Sequence, residues 1–433
     1  MLEKFGSEAQ KIQYLSRLAS LDPETFEEGA TFLTEIQGGS DVGATQTVAV
    51  KEGNDYLLTG EKWFASNCDA EIAIALARVN DRPSTRGLGL FLVPRTLPDG
   101  RRNTVSIRRL KDKLGVRAVA SGELVMDKAV GYLIGREDEG FKYMAEALNV
   151  SRLGTALSGL ALARRAVLEA AIYTSQRIAF GNPVSRYPMV RQTLADIMVE
   201  VEAGWALAAK TIRLFDEVHT YGDRSSEKVS VLRILLSLAK LNLSELGVTA
   251  TKRAMELHGG NGYIEEYVTP RLLRDAIVNP IWEGTANIQA LEILKNLQKG
   301  GAEPWSADLN NTLQRIHHPE ALSLQNQLAT HAAQCKTLIA HVLQQDAQVQ
   351  TGLACKLAVF MYNVFAAVQL LEEAQYDLVE NGDKRRLLAA EYFEHMALAP
   401  NPVRDILQNQ IVSEELFQAL ITFQAVPVQM TVD

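Results

Sequence analysis

Residues 279–289 read NPIWEGTANIQ. Glu283 stands between an apolar pair, Ile281–Trp282, and a Gly284–Thr285 step of the kind that opens a helix. The ordinary role for an acid so placed is a solvated helix-start carboxylate. The sharper one is a proton-abstracting base. An apolar wall of Ile281 and Trp282 raises a carboxyl's proton affinity by desolvation and brings it nearer working pH. The helix N-terminus pulls the other way, favouring the anion by up to about 1 kcal/mol.

Three further stretches carry groups able to meet a ligand. FLTEIQGGSDVGA (32–44) interrupts strand-like sequence with glycines and with the hydroxyls of Thr34 and Ser40, leaving backbone N–H groups open. It is no serine-hydrolase elbow, because 39–43 reads GSDVG. EKWFASN (61–67) sets Trp63 and Phe64 in a strand, where alternation sends them to opposite faces. One is then core, and the other, with Ser66, stands free for a planar ligand. HGGNGY (258–263) closes a helix with a turn that lets amides approach phosphate oxygens, or that simply caps the helix. No GxGxxG follows a strand and no GxxxxGK[ST] occurs. Cys68, Cys335 and Cys355 show no CxxC spacing, and the seven histidines no ligand spacing, so no metal site is expected.

The elements that must position these groups fall into two runs. Residues 4–20 have helical apolar spacing at Phe5, Ile12, Leu15 and Leu18. From 30 to about 134 the text is β-branched and broken by turns such as EGND and PDGRRN. From Gly140 onward it is helical, with a long helix running to GNP at 181–183, then 188–221, 226–258 and a short helix after Thr285. Strands followed by helices predict an α+β chain, and long amphipathic helices with short connections an antiparallel four-helix bundle. KGGAEPWS (299–306) has the composition of a linker into a further helical tail.

The 433 residues, 47% hydrophobic, suffice for several packed units. No uncharged apolar run approaches the roughly 18 residues of a spanning helix, and the first residues lack a signal-type core. A reducing, cytoplasmic setting is the expectation. Net charge is −8, and the tail from residue 301 holds the acidic excess. Only 101–117 is strongly basic, so a polyanion such as DNA is possible as a partner but not favoured.

In order and spacing these motifs resemble the acyl-CoA dehydrogenase flavoproteins over roughly residues 4–300. LTEIQGGSD (33–41) meets the family's L-[ST]-E-x-x-G-G-[ST]-D pattern, and ELHGGNGYIEEYVTPRLLRD (256–275) fits a second. The E-G-[ST] step at 283–285 corresponds to the segment bearing the catalytic glutamate. KWFASN, PDGRRN, RRLKDKLG, GNPVSRYPMVRQ and NPIWEGTANI are most similar to the alkylation-response, AidB-like branch.

The resemblance implies an α+β multidomain chain: a remnant of an N-terminal helical domain (1–25), a mostly antiparallel, barrel-like β-domain (26–138), a four-helix-bundle domain (139–300) and an acidic helical extension (301–433). It implies FAD as cofactor and α,β-dehydrogenation of an acyl-CoA, with Glu283 removing the α-proton. Thr34, Phe64 and Ser66 correspond to positions at the flavin ring, and Thr285 and Asn287 to cofactor contacts past the base. Arg177 and Phe180 correspond to the pair at the cofactor's diphosphate and adenine end. Those two, with Glu256, Gly259 and Gly260, are supplied in the family by a neighbouring subunit, which implies a homodimer or homotetramer. Ser40 and Arg152 correspond to substrate-side positions. An electron-transfer protein is an implied partner.

Two departures qualify the resemblance. The first flavin-type motif begins only 32 residues in, so most of the usual N-terminal domain is missing from this sequence, and the acidic tail is additional. The branch supplies an alternative expectation, a DNA-binding or DNA-protecting flavoprotein with weak dehydrogenase chemistry. A flavin-free scaffold is a third.

Overall fold

The structure, a computed structural model, describes residues 1–408 and 410–428. It divides into two compact units, Met1–Ser151 and Arg152–Asp433.

The first unit is built on seven strands: β1 (Gly29–Phe32), β2 (Val48–Glu52), β3 (Asp55–Ser66), β4 (Ile72–Arg78), β5 (Leu88–Pro94), β6 (Val105–Leu110) and β7 (Ser121–Ile134). They are ordered β1-β4-β2-β3-β7-β5, with β6 on β7 and a further β4–β5 pairing. Pairing is antiparallel except for β1 and β2 against β4. β4 shows why the sheet is two-sided. Its period of two sends Ala73, Ala75 and Ala77 into a cluster with Phe91 and Met126, and Ile72, Ile74 and Leu76 into another with Leu2, Tyr14 and Tyr143. The expected helix over 4–20 is present as Glu8–Leu18, with a π-turn over Lys11–Leu15, but a separate short turn, Leu2–Phe5, precedes it. Gly6 adopts an extended conformation, and helix restarts at Ser7, where Ser7 and Gln10 form a reciprocal capping box.

The second unit is helical. A long helix, α1 (Gly140–Gln176), carries the chain into it and is followed by α2 (Pro188–His219), α3 (Ser226–Leu257), α4 (Thr269–Ile277) and α5 (Ala286–Asn296). Then come α6 (Ala302–Gln314), α7 (Leu322–Leu343), α8 (Ala347–Asn381), α9 (Arg385–Ala397) and α10 (Glu414–Thr422). All of these helices contribute to one hydrophobic core. α8 has the length and apolarity of a membrane-crossing helix, yet 67% of its most apolar window is buried within this core.

The 299–306 stretch is not a linker. A π-turn over Leu297–Gly301, with Gly300 at φ 92°, redirects the chain straight into α6, and Trp305 is fully buried against Phe365 of α8. Glycine and proline act here as a kink and a helix first turn, and the apolar residue between them is an anchor.

Candidate functional site

In the first unit, the Gly-rich loop is held from below by a buried ion pair. Glu35 accepts from Lys62 Nζ at 2.6 Å, from Thr47 Oγ1 at 2.5 Å, and from the Gln46 and Thr47 amides. Burial pushes the Glu35 carboxyl up, but the Lys62 ammonium and the hydrogen bonds outweigh it and hold the group at about 2. Thr34 O accepts from Trp63 N at 2.9 Å, which ties the loop to β3 directly above that pair. Thr34 is half-buried and Ser40 exposed.

The alternation expected for Trp63 and Phe64 fails. β3 carries a bulge here: Lys62 pairs with Leu124 and Ala65 with Gly122, so two residues oppose Glu123 alone. Both rings therefore meet one cation. Lys111 Nζ lies 3.2 Å from the Trp63 centroid and 4.8 Å from that of Phe64, and is anchored to Glu123 at 2.7 Å. Phe64 remains 54% exposed. Ser66 faces Ser121, with the hydroxyl oxygens 3.3 Å apart.

The basic segment is largely neutralised. Arg101 pairs with Asp99, Arg108 with Glu61, Arg109 and Lys111 with Glu123, and Arg117 with Asp112.

In the second unit, Glu283 lies in the turn between α4 and α5, with Thr285 as the N-cap of α5. Its φ is 58°, and that of Gly284 is 95°. A left-handed backbone at a glutamate costs roughly 1–2 kcal/mol and persists only where its surroundings impose it. The surroundings here are three donors on two carbonyls. Lys240 Nζ donates to Gly284 O at 2.6 Å, Gln289 Nε2 to Glu283 O at 3.0 Å, and Arg152 Nε to Glu283 O at 3.5 Å. Lys240 is fully buried, and its burial lowers the ammonium to about 8, with Glu283 opposing and Arg152 adding to that shift. Burial likewise lowers Arg152, against Glu292 and Glu283.

The expected apolar wall is half present. Trp282 is partly buried, but Ile281 is 59% exposed and walls nothing. Alongside it, polar atoms are left buried without a hydrogen-bond partner among the described residues: Glu283 Oε2, Trp282 Nε1, Gln289 Oε1 and both side-chain atoms of Asn279. Such atoms cost free energy unless something polar engages them, which makes this turn the candidate site of the unit.

The remaining expected residues lie on exposed surfaces of this unit. Arg177 precedes a hairpin of Ile178–Ala179 with Asn182–Pro183, and Phe180 sits in its turn, 94% exposed at φ 49°. Glu256, Gly259 and Gly260 are exposed where α3 ends, beside the buried His258 stacked on Tyr173. Asn287 is exposed and accepts from the Cys355 thiol at 3.3 Å.

Lys240 and Gln289 were not singled out from the sequence. The signal was the single cation of the apolar stretch ILLSLAKLNL (234–243).

The family model for the acyl-CoA dehydrogenase middle domain matches residues 30–129, and that for the C-terminal domain residues 138–298. The chain is 38% identical over 269 residues to the "Putative acyl-CoA dehydrogenase AidB" of Escherichia coli K12, covering 62% of this chain and 48% of that one. The crystal structure of Caenorhabditis elegans ACDH-11 in complex with C11-CoA superposes with a TM-score of 0.85 at 27% identity, over 95% of this chain and 73% of that one. An acyl-CoA dehydrogenase from Bacillus anthracis complexed with FAD shares the fold, with a TM-score of 0.80 at 22% identity over 98% and 76%. The chain spans about half the length of the first curated relatives it matches.

Proposed function

Because this chain belongs to the acyl-CoA dehydrogenase family, a family of FAD flavoproteins, we propose that it catalyses α,β-dehydrogenation of an acyl-CoA thioester with Glu283 as the base. The single observation that carries this reading is the Glu283 turn: a strained acid with an unpartnered buried oxygen, braced by three donors. The likeness to ACDH-11, solved with an acyl-CoA, supports the substrate class.

The chemistry asks for what this turn offers. A proton α to a thioester is weakly acidic, so its removal needs a base fixed beside that carbon and an electron sink on the far side of the bond being formed. FAD, when bound, supplies the sink that accepts the β-hydride. Glu283 Oε2 has no competing hydrogen bond and is free to take the α-proton. Arg152 and Lys240 brace the backbone beneath it, and Trp282 shields one side from water. Toward the cofactor, the exposed Phe64 ring and the Thr34 and Ser66 hydroxyls fit a planar polar ring system, and Thr285 and Asn287 its contacts past the base. Arg177, Phe180, Glu256, Gly259 and Gly260 lie exposed, as they must to serve a second copy of this chain. Ser40 and Arg152 belong to the thioester side. We read the ring of pairings β4-β2-β3-β7-β5-β4 as the family's barrel-like domain and the long helices as its bundle, with the 1–25, 26–138, 139–300 and 301–433 divisions.

The DNA-binding alternative has less support, since most cations of 101–117, among them Arg101, Arg108, Arg109 and Arg117, already face carboxylates. Retention of duplex DNA at low salt, lost on neutralising Arg108 and Arg109, would revive it. The test of the leading reading is bleaching of the yellow holoprotein by acyl-CoA thioesters of short, medium and long chain.

A further inference from the structure

Resting on that reading, we propose that Lys240 is a positioning residue for the base: it clamps the carbonyl of Gly284 and so sets the left-handed step at 283–284.

The first support is energetic. Lys240 is wholly buried, in a segment of α3 whose Leu236, Leu238, Leu241 and Leu243 are buried as well, and it donates to a backbone carbonyl. An ammonium buried in this way is costly, and an apolar side chain of similar volume would be cheaper for packing alone. The second is geometric. The bond from Lys240 to Gly284 O and the bonds from Gln289 Nε2 to Glu283 O and Gly284 O draw two successive carbonyls inward, where an α5 preceded by ordinary backbone would not place them. A Cβ on Gly284 would lie 2.7 Å from Gln289 Nε2, so the step is closed around its donors. The third is electrostatic. The charged groups coupled to this position are Glu283 on the turn, Arg152 on α1 and Glu245 on α3 itself, with Glu292 of α5 acting on Arg152. A buried ammonium and a half-buried guanidinium thus both donate to the backbone of this turn.

The experiment uses the holoprotein. Lys240→Met removes donor and charge at similar length, and Lys240→Arg restores both. Hydrogen exchange is followed by mass spectrometry on peptides covering 281–289, and the rate of acyl-CoA bleaching is measured on the same preparations. Lys240→Met is expected to speed exchange at 281–289 by about tenfold or more while the rest of α3 stays protected. Its bleaching rate falls about 10- to 100-fold. Lys240→Arg recovers both readouts at least in part. Unchanged exchange at 281–289, or bleaching at the wild-type rate, overturns the proposal. If Lys240→Met yields no folded holoprotein, Lys240→Gln is read by the same criteria. Should the wild-type protein itself fail to bleach, the dehydrogenase reading falls, and exchange alone then decides the clamp.

Discussion

Gly159 of α1 and Gly247 of α3 meet backbone to backbone: a Cβ on Gly247 would lie 2.8 Å from the Gly159 carbonyl oxygen, and one on Gly159 2.4 Å from that of Leu243. Arg152 precedes Gly159, and Lys240 precedes Gly247, by the same two helical turns, so both cations share the helix face of that crossing. The close approach of the two helices sets how near the cations come to the 283–284 step. Gly159→Ala is therefore expected to destabilise the helical unit by about 1–3 kcal/mol through overpacking. It should also slow bleaching, as read by thermal melting and stopped-flow absorbance. Wild-type bleaching in a destabilised variant would uncouple the crossing from the site.

Gly284→Ala tests the turn itself. A side chain at φ 95° is strained, and its Cβ would displace Gln289 Nε2. A loss of about 1–2 kcal/mol in stability is expected, together with a fall in bleaching at unchanged flavin content. Lost flavin with intact turnover per flavin would assign the step to cofactor retention instead.

The Lys62–Glu35 pair is the corresponding brace in the β unit. Lys62→Met leaves a buried carboxylate uncompensated and should cost about 3–5 kcal/mol. The pH dependence follows with its sign. Glu35 is held at about 2, below its ordinary value of 4.5, so its contribution is complete above 4.5 and is lost as pH falls through that interval. Wild-type stability in denaturant should decline on that acid limb, and Lys62→Met should flatten it.

Much of this was legible beforehand, because long periodic patterns and order of motifs are strong signals. The helices 188–221 and 226–258 appear as Pro188–His219 and Ser226–Leu257, and the EGND and PDGRRN turns join strands as expected. The errors share a cause: local rules were overridden by tertiary contacts. Alternation at Trp63–Phe64 gave way to a bulge organised by Glu123 and Lys111. The apparent linker at 299–306 was read from Gly and Pro, while Trp305 between them anchors the core. Ile281 was assigned to a wall from adjacency in sequence, and burial alone could correct that. Lys240 was invisible because its partner is a backbone carbonyl 44 residues away.

Trp305→Ala separates an appended tail from an integral one. Removing this fully buried ring should cost about 3–5 kcal/mol. Exchange protection should fall in α2 and α3 as well as α6 if one core spans the unit. A loss confined to residues beyond 301 would restore the tail as a separate body.

The central claim is that Glu283 removes the α-proton of an acyl thioester. It is tested most directly by mixing FAD-loaded wild-type protein and Glu283→Gln with the same acyl-CoA panel under anaerobic conditions and following flavin absorbance. The account predicts rapid bleaching of the wild type by at least one thioester and a rate lower by about 1,000-fold or more in the variant, since a positioned general base contributes about 10²–10⁴-fold and no second acid is braced in that turn. Bleaching of Glu283→Gln at the wild-type rate, or a wild type that stays oxidised against every thioester, would contradict it.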